Sequence, residues 1–174
     1  VPSLETVGGS FSPNTMAALT TFTLTGLTTV VGSFGPNAMA SLTTLSVPAL
    51  LTVTGDFAPN TMASLTTLSA PVLETVGDVI LYDMASLTTL SVPSLATIGN
   101  GLALSAMASL TTLTFPALTA IGGDISFGDM PSLATFSLPA LLSVGGNVTT
   151  GGAPLNLTSV NALLVRLAAL DGTA

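Results

Sequence analysis

The six methionines of this chain, Met16, Met39, Met62, Met84, Met107 and Met130, are separated by 23, 23, 22, 23 and 23 residues. No local propensity constrains the fold as much, because a unit of about 20–50 residues repeated in tandem marks a stacked array. One unit reads Met39-Ala40-Ser41-Leu42-Thr43-Thr44-Leu45-Ser46-Val47-Pro48-Ala49-Leu50, followed by Val53, Gly55, Asp56 and Phe57. The units at Met62, Met84 and Met107 repeat it almost verbatim. Those at Met16 and Met130 carry a few changes, and residues 1–15 supply the rear half of one more.

Within a unit the large apolar residues fall as Met107, Leu110, Leu113, Phe115, Leu118, Ile121 and Ile125. A helical period of 3.6 does not fit that series. The Leu-x-Val or Leu-x-Phe alternation fits a short strand, the following Pro-x-Leu turns the chain, and Gly-Gly or Gly-Asp permits a second corner. Each unit thus turns about six apolar side chains inward, each worth ~1.5–3 kcal/mol when fully buried. One unit cannot shield them, but stacked units can. Strands are expected to centre on Phe22, Leu45, Leu68, Leu90, Leu113 and Phe136 and to pair in parallel with the next turn, with no helix across Met-Ala-Ser-Leu.

The spacing Leu-x-x-Leu-x-Val-Pro-x-Leu-x-x-Ile-Gly, clearest in Leu87 to Leu102, resembles the receptor L-domain type of leucine-rich repeat. That type occurs in growth-factor receptor ectodomains and fungal cell-wall glycoproteins. The resemblance covers residues 1–150 and implies extracellular recognition or wall structure. The chain departs from the receptor examples in having no cysteine. It also lacks the Asn of the usual strand-to-loop turn. Leu155-Asn156-Leu157-Thr158-Ser159-Val160-Asn161-Ala162-Leu163-Leu164 looks like the post-repeat segment of some bacterial and phage surface repeat proteins.

From Ala153 the period changes. Val160, Leu163, Leu164, Leu167 and Leu170 follow helical spacing, Thr158 or Ser159 can cap the start, and Gly172 sits where a helix ends. Arg166, the only cation, lies off that stripe in the last turns, where the helix dipole favours it. The fold expected is therefore all-β: a right-handed leucine-rich-repeat-like β-solenoid of about seven 22–23-residue coils over 1–152, with a C-terminal α-helical cap over 153–174. At the other end Val1 begins in mid-coil, and Val7 and Phe11 face an uncovered core. Further residues upstream, or docking against another chain, end to end with itself included, are expected there.

Composition excludes much chemistry. The chain has 174 residues, net charge −7, no His, no Cys, and 5% charged residues. No thiol nucleophile, Ser-His-Asp relay, Cys/His zinc site or disulfide can form. One cation gives no basic patch for nucleic acid. Mean hydropathy is +0.83, yet Thr, Ser, Gly, Pro or Asn interrupts every apolar run, so no membrane-spanning helix is expected. No cofactor or metal is expected either, and an enzyme is not.

In a stack, columns matter more than linear motifs, because equivalent residues lie about 4.8 Å apart. The outward strand positions Thr21/Thr23, Thr44/Ser46, Thr67/Ser69, Thr89/Ser91, Thr112/Thr114 and Thr135/Ser137 form two hydroxyl files. Such an array resembles the water-ordering face of ice-binding β-solenoids and also suits a sugar or protein surface. Equally, Thr is simply a good strand former whose ladders support one another. If the array is a binding face, Thr44, Thr67, Thr89 and Thr112 must be exposed and aligned. A second column, Ser10, Ser33, Asp56, Asp78, Gly101, Asp124 and Asn147, suits hydrogen bonding to turn N–H groups. Asp56 and Asp78 would be like charges in adjacent turns. A Ca²⁺ would relieve them, though no calcium loop is present and no apolar pocket makes them a catalytic pair. A third file, Pro13-Asn14, Pro36-Asn37 and Pro59-Asn60, reads as a turn. Asn147-Val148-Thr149 and Asn156-Leu157-Thr158 match the N-glycosylation acceptor pattern.

The composite expectation is a non-enzymatic extracellular structural or adhesive protein of a cell envelope, extracellular filament or virion appendage. The alternative is a module whose Thr/Ser face binds ice or carbohydrate.

Overall fold

A computed structural model describes residues 4–151 as a parallel β-solenoid. Each turn visits three faces. The widest sheet runs through Thr6–Val7, Thr29–Val30, Thr52–Val53, Thr75–Val76, Thr97–Ile98, Ala120–Ile121 and Ser143–Val144, every neighbouring pair parallel. Six turns separate its first strand from its last, so about six complete turns stand where seven coils were expected, with partial ones at the ends. No helix occurs among the described residues. The expected helical cap over 153–174, with Asn156 and Arg166, lies outside them.

The expected strand column forms the second face, which we term the hydroxyl face. Thr21–Thr23, Thr44–Ser46, Thr67–Ser69 and Thr89–Ser91 make one four-stranded sheet, and Thr112–Thr114 and Thr135–Ser137 a two-stranded one. Their inward residues Leu45, Leu68 and Leu113 are buried while the flanking Thr and Ser face out, the period-2 pattern of a half-buried sheet.

The third face was not legible as strands. It consists of Val79–Tyr82, Leu102–Ser105, Ile125–Gly128 and Val148–Thr149, and continues upstream as isolated parallel bridges from Phe57 to Phe34 to Phe11 and from Asn60 to Asn37 to Asn14. The Pro-Asn file therefore belongs to a sheet face and is not merely a turn. Pro36 and Pro59 occupy the column that Leu81, Leu104 and Phe127 fill later. A proline has no N–H to give the ladder, which reduces continuous strands to bridges in the early turns.

Three corners join the faces. At each Met a four-residue turn closes, as in Leu42 N–H to Met39 C=O at 3.1 Å and Leu87 N–H to Met84 C=O at 3.0 Å. The residue before each Met, namely Thr15, Ala38, Thr61, Asp83, Ala106 or Asp129, has φ between 49° and 57°. At the second corner Pro48 sits in a turn closed by Leu50 N–H and Val47 C=O at 3.2 Å, and Pro there pre-sets the φ of the turn's second residue. The third corner carries the glycines and the polar column. The single 22-residue spacing arises here, where Val76-Gly77-Asp78 replaces the longer Val53-Thr54-Gly55-Asp56.

The columns stack into one apolar core, and among the described residues no polar or charged one is buried. Met39, Met62, Met84, Met107 and Met130 are wholly buried, whereas Met16 in the first turn is 42% exposed. Val7, Phe11, Leu19 and Phe22 are only partly buried, as befits the outermost layer. Phe11, Phe34 and Phe57 stack ring on ring at 5.7 and 5.6 Å.

Candidate functional site

Parallel pairing holds the hydroxyl face in register: Thr21, Thr44, Thr67 and Thr89 are successive partners, as are Thr23, Ser46, Ser69 and Ser91. Thr112 pairs with Thr135 and Thr114 with Ser137. The files thus repeat at about 4.8 Å along the stack, with about 6.6 Å between the two residues of each strand. Of the four threonines that a binding face requires to be open, Thr89 and Thr112 are exposed and Thr44 and Thr67 half-buried.

Alignment fails at one place. Thr89–Ser91 and Thr112–Thr114 do not pair, so the face is a four-strand block and a two-strand block. The break coincides with a change of size in the inward column, where Val47, Ala70 and Val92 give way to Phe115. At this break Leu90, unlike Leu45, Leu68 and Leu113, is only partly buried.

The hydroxyls divide by function. In three of the Thr-Thr doublets of this face the first residue is spent on the backbone: Thr43 donates to Thr20 C=O at 3.0 Å, Thr66 to Thr43 C=O at 3.0 Å, and Thr88 to Thr66 C=O at 3.2 Å. The second residue of the doublet belongs to the face. None of the twelve face side chains makes a hydrogen bond within the described residues. Sequence alone did not separate the two roles, although the recurring doublet was the signal. The described residues carry seven carboxylates, on Glu5, Asp56, Glu74, Asp78, Asp83, Asp124 and Asp129, and no cation; none of these stands on a strand of this face. Chemically it is a neutral, ridged surface of hydroxyls and methyls whose polar bonding capacity is left to solvent or a partner.

Four members of the polar corner column, Ser10, Ser33, Asp78 and Asp124, are spent on internal bonding, as expected from their short side chains. The Ser10 hydroxyl accepts the Ser33 N–H at 3.1 Å, Ser33 that of Asp56 at 3.2 Å, Asp78 that of Gly101 at 2.8 Å, and Asp124 that of Asn147 at 2.7 Å. Asp78 also accepts from the Asn100 amide, which commits both of its oxygens. Among the described residues no three His, Cys, Asp or Glu side chains gather into a metal site. No helix there is long and apolar enough to cross a membrane. Asn147 is exposed at the corner.

Compared with protein-family models, curated proteins and solved structures, the chain gives no match.

Proposed function

We propose that this chain is a non-enzymatic extracellular structural or adhesive repeat protein that makes contact through its hydroxyl face. One observation carries the reading: twelve Thr and Ser hydroxyls stand in two files without partners among the described residues, while the neighbouring Thr43, Thr66 and Thr88 hydroxyls are tied to the backbone. A surface so uncharged and repetitive within each block suits a repetitive partner, such as an envelope polymer or another array of chains. The spacing from Leu87 to Leu102 supports kinship with receptor L-domain leucine-rich repeats. The missing His and Cys support a role without catalysis.

The same face supports a second reading, a module for ice or carbohydrate, on the register match of Thr21, Thr44, Thr67 and Thr89. The Thr67→Lys/Thr89→Lys double variant tests both, since it places two charges mid-face without touching the core. Co-sedimentation with insoluble polysaccharides and envelope fragments, thermal hysteresis, and electron microscopy of assemblies are read for wild type and variant. Loss of retention or assembly with unchanged circular dichroism supports the adhesive reading, and loss of thermal hysteresis or glycan binding supports the second. Wild-type protein that stays monodisperse and is retained on no surface overturns both.

A further inference from the structure

We propose a second binding site, on the third face and independent of the hydroxyl face, that takes the ring of a neutral sugar against Tyr82. The residues come from three adjacent turns. Ile80 and Tyr82 point outward from Val79–Tyr82, and pairing sets Ala103 and Ser105 beside them, then Ser126 and Gly128. Two large side chains followed by four small ones make a step. The result is a shallow depression of about 200 Å³ lined by these six residues together with Leu81 and Leu104. That is below the ~300–1,000 Å³ of pockets for drug-sized ligands and suits a single ring.

The chemistry of the step selects among ligands. Tyr82 is the only tyrosine of the chain and is 40% exposed, in a file otherwise made of Asn14, Asn37, Asn60, Ser105 and Gly128. An aromatic face is electron-rich and packs against polarised C–H groups, which a pyranose presents on one side of its ring. The hydroxyls of Tyr82, Ser105 and Ser126 make no hydrogen bond among the described residues, so each can meet a sugar hydroxyl as donor or acceptor. Carboxylates bracket the strands, Asp78 and Asp83 around Val79–Tyr82 and Asp124 and Asp129 around Ile125–Gly128. With no cation among the described residues and carboxylates at both ends of these strands, a neutral ligand is favoured over an anion. Gly128 keeps the floor low, because a Cβ there would stand 3.2 Å from the Ser105 hydroxyl oxygen.

The chain has one tyrosine and no tryptophan, so its intrinsic fluorescence reports on this site alone. The full 174-residue chain is titrated with soluble hexasaccharides of glucose, N-acetylglucosamine, mannose and galactose, and separately with tetramethylammonium. A saturable change with at least one hexasaccharide is expected, and it persists in Thr67→Lys/Thr89→Lys, which separates this site from the hydroxyl face. Saturation-transfer NMR then reads Tyr82→Ala, expected to weaken binding at least tenfold, and Tyr82→Phe, expected to retain most of it. Ala103→Leu, which fills the floor from an exposed position, is expected to block binding with circular dichroism unchanged. No response to any hexasaccharide, binding undiminished in Tyr82→Ala and Ala103→Leu, or a response to the cation alone overturns the proposal.

Discussion

The Asp78 carboxylate accepts the backbone N–H of Gly101, one turn downstream, at 2.8 Å. Its second oxygen takes the Asn100 side-chain amide at 2.8 Å. In this way one side chain ties two turns together at the corner where the chain is a residue shorter than elsewhere. Hydrogen bonds to a charged acceptor contribute about 1.5–3 kcal/mol, less where water competes. Asp78→Ala should therefore cost about 1–2 kcal/mol, and Asp78→Asn, which keeps an acceptor, distinctly less. Urea unfolding with an unchanged slope and a lowered midpoint is the expected readout.

The Thr-Thr doublet gives a paired test one residue apart. Thr66 donates to the Thr43 carbonyl at 3.0 Å, while the Thr67 side chain has no partner among the described residues. Thr66→Val should lose about 0.5–1.5 kcal/mol. Thr67→Val should be neutral or slightly stabilising, because valine is at least as good a strand former. Equal costs in the two variants would contradict the division of hydroxyls into internal and outward sets.

Phe34 lies between two rings, Phe11 at 5.7 Å and Phe57 at 5.6 Å, whereas Phe57 stacks on Phe34 alone. Both are buried, so replacement by leucine removes similar apolar area. The difference between them isolates stacking. Phe34→Leu should cost more than Phe57→Leu by about 0.5–1.5 kcal/mol, read as separate midpoints in chemical denaturation.

How far the sequence spoke depended on whether a column carried a repeated contrast. Phe22, Leu45, Leu68, Leu90, Leu113 and Phe136 alternate with Thr and Ser in every unit, and all six centre strands. The polar corner was legible for the same reason, since Ser33, Asp78 and Asp124 differ chemically from all around them. The third face was not, because Pro36 and Pro59 in one half and Leu81 and Leu104 in the other share a column with opposite local propensities. Stacking overrides those propensities by imposing one path on every turn. The break between Ser91 and Thr112 was hidden too, since the Thr-Leu-Ser and Thr-Leu-Thr triplets on its two sides carry the same alternation as the paired strands.

The column before each methionine adopts a left-handed backbone without a glycine in it. Ala106 has φ of 55° and Ala38 of 52°. A side chain there costs roughly 1–2 kcal/mol, and glycine relieves this against an unfolded-state penalty of about 0.5–1 kcal/mol. Ala38→Gly and Ala106→Gly should each raise stability by up to ~1 kcal/mol. Ala106→Val should instead destabilise, since a β-branched residue fits this conformation worst. Thermal midpoints of the three variants decide the matter.

The glycine corner provides the sharpest contrast, because equivalent glycines meet different neighbours. A Cβ on Gly122 would run into the carbonyl oxygen of Gly99 one turn back, and one on Gly145 into that of Gly122. The nearest atoms to a Cβ on Gly99 are the Gly77 and Val76 carbonyl oxygens at 3.6 Å, an ordinary contact. The difference follows from the missing residue: below Gly99 the turn is the short Val76-Gly77-Asp78, which leaves room, while below Gly122 and Gly145 the turns are full length and stack directly. Gly99 is also free of a positive φ, so alanine there only narrows the unfolded ensemble. Gly99→Ala should therefore stabilise the chain by about 0.4–1 kcal/mol. Gly122→Ala must push two backbone segments apart and should cost about 1–3 kcal/mol, the usual penalty of overpacking. Amide hydrogen exchange should locate the loss in Gly122→Ala at Gly122 N–H, which now bonds the Ile98 carbonyl at 2.9 Å, and at its neighbour Gly123, bonded to Asn100 at 2.6 Å. Equal tolerance of alanine at 99 and 122 would mean that the short turn does not open the corner.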